Sequence, residues 1–230
     1  MQELAPDLWI KHFPLRLLGG EQGRVVTVIR LTSGRAAGRL IIHSTAPFGA
    51  GDVAEITALG TPGWLVDATL MHDTYAQAGR RAFADIPYLA PAGFAARAGV
   101  ATQPLLPVPA EWGDEVRVLR LAGMPALQEH AFFHVPSRTL IVTDLIFNFE
   151  ETTGWARFVH RWLMGVQHQP DMGRLFPLMI RDRKAFNESI TELMRWDFNR
   201  IIVGHHKPIE TDGRRLLREA MARKGLLRRD

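Results

Sequence analysis

Three apolar runs in this chain lead to side chains that bind cations or carry protons. Trp64 to Met71 runs into His72, Thr139 to Phe147 contains Asp144, and Arg200 to Val203 leads through Gly204 to His205. Imidazoles and carboxylates are ligands for divalent ions, and an Asp-His pair such as Asp144 and His205 also serves without metal, the carboxylate orienting the imidazole as general base. Asp73, His130, His134 and His206 are further candidate donors, and Glu129-His130-Ala131-Phe132-Phe133-His134 is the densest cluster. On a strand, positions 130 and 134 share a face with 132, which equally suits a pair pointing to solvent. A nucleophile is not evident: Gly-x-Ser-x-Gly is missing, and Ser44, Thr74 and Thr143 lack a supporting motif. Gly-x-x-x-x-Gly-Lys, Gly-x-Gly-x-x-Gly and His-Glu-x-x-His are missing too, so nucleotide and zincin chemistry have no foothold.

The segment Leu70 to Gly79 resembles the His-x-His-x-Asp-His-x-Gly signature of the metallo-β-lactamase superfamily. His72 falls on the first histidine and Gly79 on the glycine, while Thr74, Ala76 and Gln77 stand where His, Asp and His would be. Arg138 to Leu145 resembles the strand that ends in the bridging aspartate, and Ile201 to His206 the strand that ends in the last histidine. Gly123-Met124-Pro125 best matches the Gly-His-Thr turn, with methionine for histidine, and His43-Ser44 replaces the aspartate that active relatives usually show after an apolar strand.

The resemblance spans about residues 5 to 210. It implies a mixed α/β (α+β) fold, a four-layer αββα sandwich of mixed sheets. It also implies that His72 belongs to one ion, His205 to a second, and Asp144 bridges them. Neither ion keeps a full set, since Thr74 and Gln77 offer neutral oxygens, Ala76 offers nothing, and the Met124 thioether suits copper(I) rather than zinc. Two readings follow. In the first, His72, Asp144 and His205 hold one divalent metal (zinc, iron or manganese), and Asp144 and His205 are catalytic in a hydrolase of unresolved ester, thioester or phosphodiester class. In the second, no metal is held and the chain is a pseudoenzyme kept as a binding or scaffold module.

The elements that must position these residues are legible as hydrophobic periodicity. Leu8 to Phe13, Arg24 to Leu31 and Arg39 to His43 read as strands of an opening meander, with Gly19-Gly20 and Ser33-Gly34 as turns. A helix through Val53, Ile56 and Leu59 follows. Trp64 to Met71 is expected as a buried strand with His72 at its C-terminal end, then a helix over Tyr75 to Phe83, a strand over Tyr88 to Pro91 and a helix over Gly93 to Arg97, the alternation of βαβ crossovers. The second half repeats the plan with strands over Glu115 to Leu121, Glu129 to His134 and Thr139 to Phe147, helices through 151 to 200, and a strand over Arg200 to Val203. Glu151 to Ala185, tryptophan-rich and broken by Gly165, Gly173 and Pro177, reads as core packing or as a flap favouring an apolar or aromatic ligand.

At 230 residues and 47% apolar content, one domain over 1 to 230 is expected. The absence of cysteine excludes disulfides and thiolate chemistry and suits a reducing cytoplasm. No run is long and apolar enough for a transmembrane helix, and the N-terminus has no signal core. The formal charge of +4 is concentrated in residues 213 to 230, which hold seven Lys/Arg against two Asp/Glu, leaving 21 bases against 22 acids elsewhere. Leu216, Leu217, Ala220 and Met221 give that tail helical spacing, so its arginines read as the wet face of a basic C-terminal helix. It lacks the aromatics that would stack bases, so a small-molecule partner is expected and a nucleic acid is not; a homodimer is compatible with the sequence.

Overall fold

A computed structural model describes residues 1–17, 20–149 and 169–227. The expected turn at Gly19 and the tryptophan-rich helices over 151–168 lie outside the described residues. The chain divides into two compact units. Unit 1 comprises Met1–Phe13, Val25–Arg117 and His134–Ser137, and unit 2 comprises Pro14–Arg24, Val118–Phe133 and Arg138–Asp230.

Unit 1 is built on a seven-stranded mixed sheet. Its strands are β1 (Gln2–Ala5), β2 (Leu8–Phe13), β5 (Arg24–Arg30), β6 (Arg39–His43), β7 (Thr61–Val66), β8 (Tyr88–Ala90) and β9 (Gln103–Pro104), in that spatial order. β1 pairs antiparallel with β2, and β5 with β6, giving the expected meander; β6, β7, β8 and β9 are parallel neighbours. Parallel neighbours need crossovers, and α1 (Ala50–Thr57), α2 (Ala76–Ala82) and α3 (Phe94–Ala98) supply them. Val25, Val26, Val28 and Ile29 of β5 are all buried, each side chain worth about 1.5–3 kcal/mol relative to exposure. Leu40 and Ile42 of β6 join Trp9, Val26, Val28, Leu65, Tyr88 and Phe94 in one core.

Two expectations for unit 1 need correction. The apolar run from Trp64 to Met71 is not a strand throughout: β7 ends at Val66, and His72 lies in a 3-10 turn over Leu70–Tyr75. The ladder stops because Asp67 turns inward as an acceptor, and Thr69 Oγ1 then accepts from the Met71 amide, which starts the turn. β1 was not anticipated; the polar sequence QELA gives no period-2 apolar signal, and its residues are half-buried or exposed.

Unit 2 carries most of a four-stranded sheet in the order β10 (Val116–Arg120), β11 (His130–His134), β12 (Thr139–Ile141), β13 (Arg200–Ile202). A two-stranded ribbon of β3 (Arg16–Leu17) and β4 (Gly20–Glu21) stands apart from it. β12 and β13 are parallel. Between them in the chain lie α4 (Phe176–Met179) and α5 (Arg183–Leu193). Asp182 caps α5 by accepting from the Ala185 amide, and Phe186, Ile190 and Leu193 form its buried stripe. The closing helix α6 (Gly213–Arg223) buries Leu217, Ala220 and Met221 and leaves Arg214, Arg215 and Arg218 in water, as its spacing predicts; it stops at Arg223. Two mixed sheets with helices make an α+β protein, the class expected from sequence. No helix among the described residues is long and apolar enough to cross a membrane.

Candidate metal centre

In unit 2, strand register brings two of the candidate residues together. Thr139, Leu140 and Ile141 pair with Arg200, Ile201 and Ile202, and the same register carried past the strand ends sets Asp144 opposite His205. Two further bonds hold the chains side by side beyond the ladder, Val142 N to Ile202 O and Gly204 N to Thr143 O. The strand expected over Thr139 to Phe147 therefore stops early, at Ile141, and Asp144 occupies a bend. The cause is Glu129, wholly buried, whose Oε1 accepts from the amides of Thr143 (2.8 Å), Asp144 (3.2 Å) and Leu145 (3.2 Å). Burial, then the nearby Asp144 carboxylate, push the Glu129 carboxyl up to about 8, against the downward pull of those amides.

His205 is fixed at both ring nitrogens. Nδ1 lies 2.7 Å from the Gly23 carbonyl, which only accepts, so Nδ1 carries the hydrogen and a neutral ring keeps its lone pair on Nε2. That Nε2 stands 3.4 Å from Asp144 Oδ1. Phe147 stacks on the His205 ring at 5.9 Å between centroids and 23° between planes, and Phe149 meets His206 edge-on at 4.5 Å. Asn148 Nδ2 donates to the carbonyls of Lys207 and Pro208, which ties the segment after Asp144 to the segment after His205.

In unit 1, His72 is 2% exposed. Its neighbours in the signature are otherwise engaged: Asp73 pairs with Arg97 at 2.7 Å, Thr74 is exposed, Ala76 is core, and Gln77 donates to the Ala98 carbonyl. Gly79 is required by packing, because a Cβ there would sit 2.5 Å from Thr45 Cγ2 and 2.8 Å from Thr45 Cβ. Thr45 in turn gives Asp67 two hydrogen bonds, from its amide (3.2 Å) and its hydroxyl (2.9 Å), and Tyr88 Oη gives a third at 2.5 Å. Where His43-Ser44 replaces the expected aspartate, a buried carboxylate thus comes from Asp67, one strand over.

Two of the suggested replacement donors are tied down at Nδ1. His130 and His134, candidates for a solvent-facing pair, are both buried, at 4% and 1% exposure; His130 Nδ1 donates to the Gln128 carbonyl and His134 Nδ1 lies 2.7 Å from Ser137 Oγ. Met124 is core, and Gly123 is needed where the chain meets the start of α5: its φ is +77° and a Cβ would lie 2.1 Å from the Asp182 carbonyl oxygen. The residues the sequence left without a role are Glu129 and Asp67. The signal for Asp67 was an acid inside an apolar run, and for Glu129 an acid at the edge of the wholly buried stretch Ala131-Phe132-Phe133.

No family model matches the chain, and no curated protein matches it by sequence. Solved structures do match. A metallo-β-lactamase from Erythrobacter litoralis superposes with a TM-score of 0.68 at 16% identity, over 98% of this chain and 96% of that one. The fold is metallo-β-lactamase-like. A metallo-β-lactamase from Pontibacter korlensis aligns at TM-score 0.64 and 12% identity over 94% of both chains, and the mono-zinc form of FIM-1 from Pseudomonas aeruginosa at 0.62 and 13% over 97% of this chain and 94% of that one. With so little identity retained, the likeness shows the fold alone and leaves the chemistry to the residues in place.

Proposed function

We propose that the protein is a hydrolase that works with a single divalent ion, zinc, iron or manganese, held by His72, Asp144 and His205. The His205–Asp144 pair carries this reading. With Nδ1 given to the Gly23 carbonyl, Nε2 and the Asp144 carboxylate oxygen converge at 3.4 Å, as two ligands of one cation would. The donor set fits: two imidazoles and a carboxylate are borderline ligands of the kind zinc takes in catalytic sites, and three protein ligands leave a position open. The Gly23 carbonyl on His205 Nδ1 is the outer partner that such a ligand uses to fix its ring and tautomer.

A divalent ion bound there supplies a Lewis acid and an acidified water. The chain's own residues do the rest. Gly23 occupies His205 Nδ1 and so leaves Nε2 as the ring nitrogen facing the site, Phe147 covers one face of the imidazole, and Asp144 would supply a carboxylate able to accept a proton. We further propose that residues 151–185 act as a flap favouring an apolar small-molecule substrate. Two features of its described part support this: Asp171 bridges to Phe147 through paired backbone bonds of 2.9 and 3.0 Å, and Leu175 and Leu178 are exposed. A cysteine-free chain is suited to the cytoplasm, where we place it.

The test is elemental analysis of untagged protein purified without chelators, followed by an ester, thioester and phosphodiester screen of the metal-loaded protein. One ion per chain with metal-dependent turnover is expected. Absence of metal even after reconstitution would overturn the reading and leave a binding or scaffold module.

A further inference from the structure

We infer that Glu129 is a positioning residue: its buried carboxyl group gathers the amides of Thr143, Asp144 and Leu145 and so aims the Asp144 side chain at His205.

When β12 ends at Ile141, the next amides lose their ladder partners, and buried amides without acceptors are costly. Thr143 and Leu145 are both buried, and Asp144 is only partly exposed. One oxygen answers all three: Glu129 Oε1 lies within 3.2 Å of each nitrogen, and Oε2 lies 3.3 Å from the amide of Asp144. Successive amides converging on one oxygen atom form a cradle like that of a nest, a geometry that fixes backbone direction rather than merely filling space. The Asp144 amide is thus held at a definite point, and its Cα–Cβ bond with it. The Asp144 carboxylate then has little choice but to stand beside His205 Nε2, at the observed 3.4 Å.

Glu129 comes from a separate part of the chain, just before β11, and its own carbonyl accepts from Leu121 N. The bend that carries Asp144 is therefore braced from outside the β12–β13 pair. The Glu129 side chain is wholly buried and bonds to the amides of the loop that carries Asp144, so it acts through the loop it holds.

The inference rests on the metal reading only for its functional consequence, and two readouts separate them. The first is amide hydrogen exchange in metal-free protein. Thr143, Asp144 and Leu145 are expected to be protected in wild type and in Glu129→Gln, whose carbonyl oxygen can take the place of Oε1. They are expected to exchange at least about 10-fold faster in Glu129→Ala and Glu129→Asp, while Ile141 and Ile202 stay unchanged. Unchanged protection at 143–145 in both of those variants overturns the inference.

The second is zinc affinity by competition with a chromophoric chelator. Glu129→Ala and Glu129→Asp are expected to bind zinc roughly 10–100-fold more weakly, the size usual for outer partners of a ligand, and Glu129→Gln within about 3-fold of wild type. In an Asp144→Ala background, Glu129→Ala should weaken binding no further. Wild-type affinity in Glu129→Asp, a Gln variant as weak as Ala, or a full additional loss in the Asp144→Ala background each overturns the positioning role. Should Glu129→Ala not fold, Glu129→Asp and Glu129→Gln carry both measurements. Wild-type protein that binds no zinc, yet keeps Glu129-dependent protection, overturns the metal reading and upholds the placement of Asp144.

Discussion

Asp144 and His205 stand at the same register position beyond adjacent parallel strands, with Nε2 of one 3.4 Å from Oδ1 of the other. Parallel strands place their C-terminal ends on one edge, so residues 61 positions apart in sequence become neighbours without a special loop. The edge is also where backbone amides lose their ladder, and there the chain spends a buried glutamate to fix the bend and a glycine carbonyl to fix the imidazole.

If these residues ligate one ion, each is needed for it. Asp144→Ala, His205→Ala and His72→Ala should each weaken zinc binding by more than the roughly 10–100-fold that outer partners contribute, as read by competition titration. Circular dichroism should remain native-like. Retained wild-type affinity in any one of them removes that residue from the ligand set.

Metal removal should lower the melting temperature. An ion bound only to the native state at a free concentration of 100 times its Kd stabilises by about 2.7 kcal/mol, and chelator abolishes that term. Melting curves with and without excess chelator measure it, and superimposable curves count against a tightly held ion.

The sequence made some of this legible for physical reasons. Leu8–Phe13 and Arg39–His43 match their expected bounds because dense apolar runs end at clear turn residues. Asp144 was expected inside a strand that in fact ends at Ile141, whereas His205 could be placed just past a strand because the run before it is short and continuous. His72 could not, because Asp67 interrupts its run with a hydrogen-bonding role that only appears once Thr45 and Tyr88 arrive from other elements. Glu129 is the same case: its partners are amides fourteen to sixteen residues away. Single-sequence periodicity registers burial, and it is blind to an acid buried because backbone donors surround it.

Gly79 gives a steric prediction. Gly79→Ala puts a methyl group 2.5 Å from Thr45 Cγ2 and 2.8 Å from its Cβ, so α2 and the segment that follows β6 must move apart. Overpacking of this kind costs about 1–3 kcal/mol, measurable by urea denaturation. Thr45→Ala in the same chain removes the nearer clash and should recover part of the loss. A fully additive double variant would mean the strain lies elsewhere.

The Asp67 site gives a hydrogen-bond prediction. Tyr88→Phe deletes a donor to a carboxylate that is 0% exposed and that also accepts from the Thr45 amide and hydroxyl. A hydrogen bond to a charged group contributes about 1.5–3 kcal/mol, and the loss should appear as a shift in denaturation midpoint with an unchanged slope. No shift would indicate that water takes the place of the phenol.

His134 sets an acid limit on the fold. Burial lowers its pKa to about 4 from 6.5, with Glu115 and then Asp7 pulling the other way. The neutral ring is thus the folded form, and a depressed folded pKa means that stability present above pH 6.5 is lost as pH falls toward 4, where the unfolded chain binds the extra proton. The shift corresponds to at most about 3 kcal/mol at 1.36 kcal/mol per pH unit. Urea midpoints between pH 7 and pH 4 should fall in wild type and fall less in His134→Gln, which keeps a polar partner for Ser137 without a titrating ring. Parallel curves for the two proteins would assign the acid sensitivity to other groups.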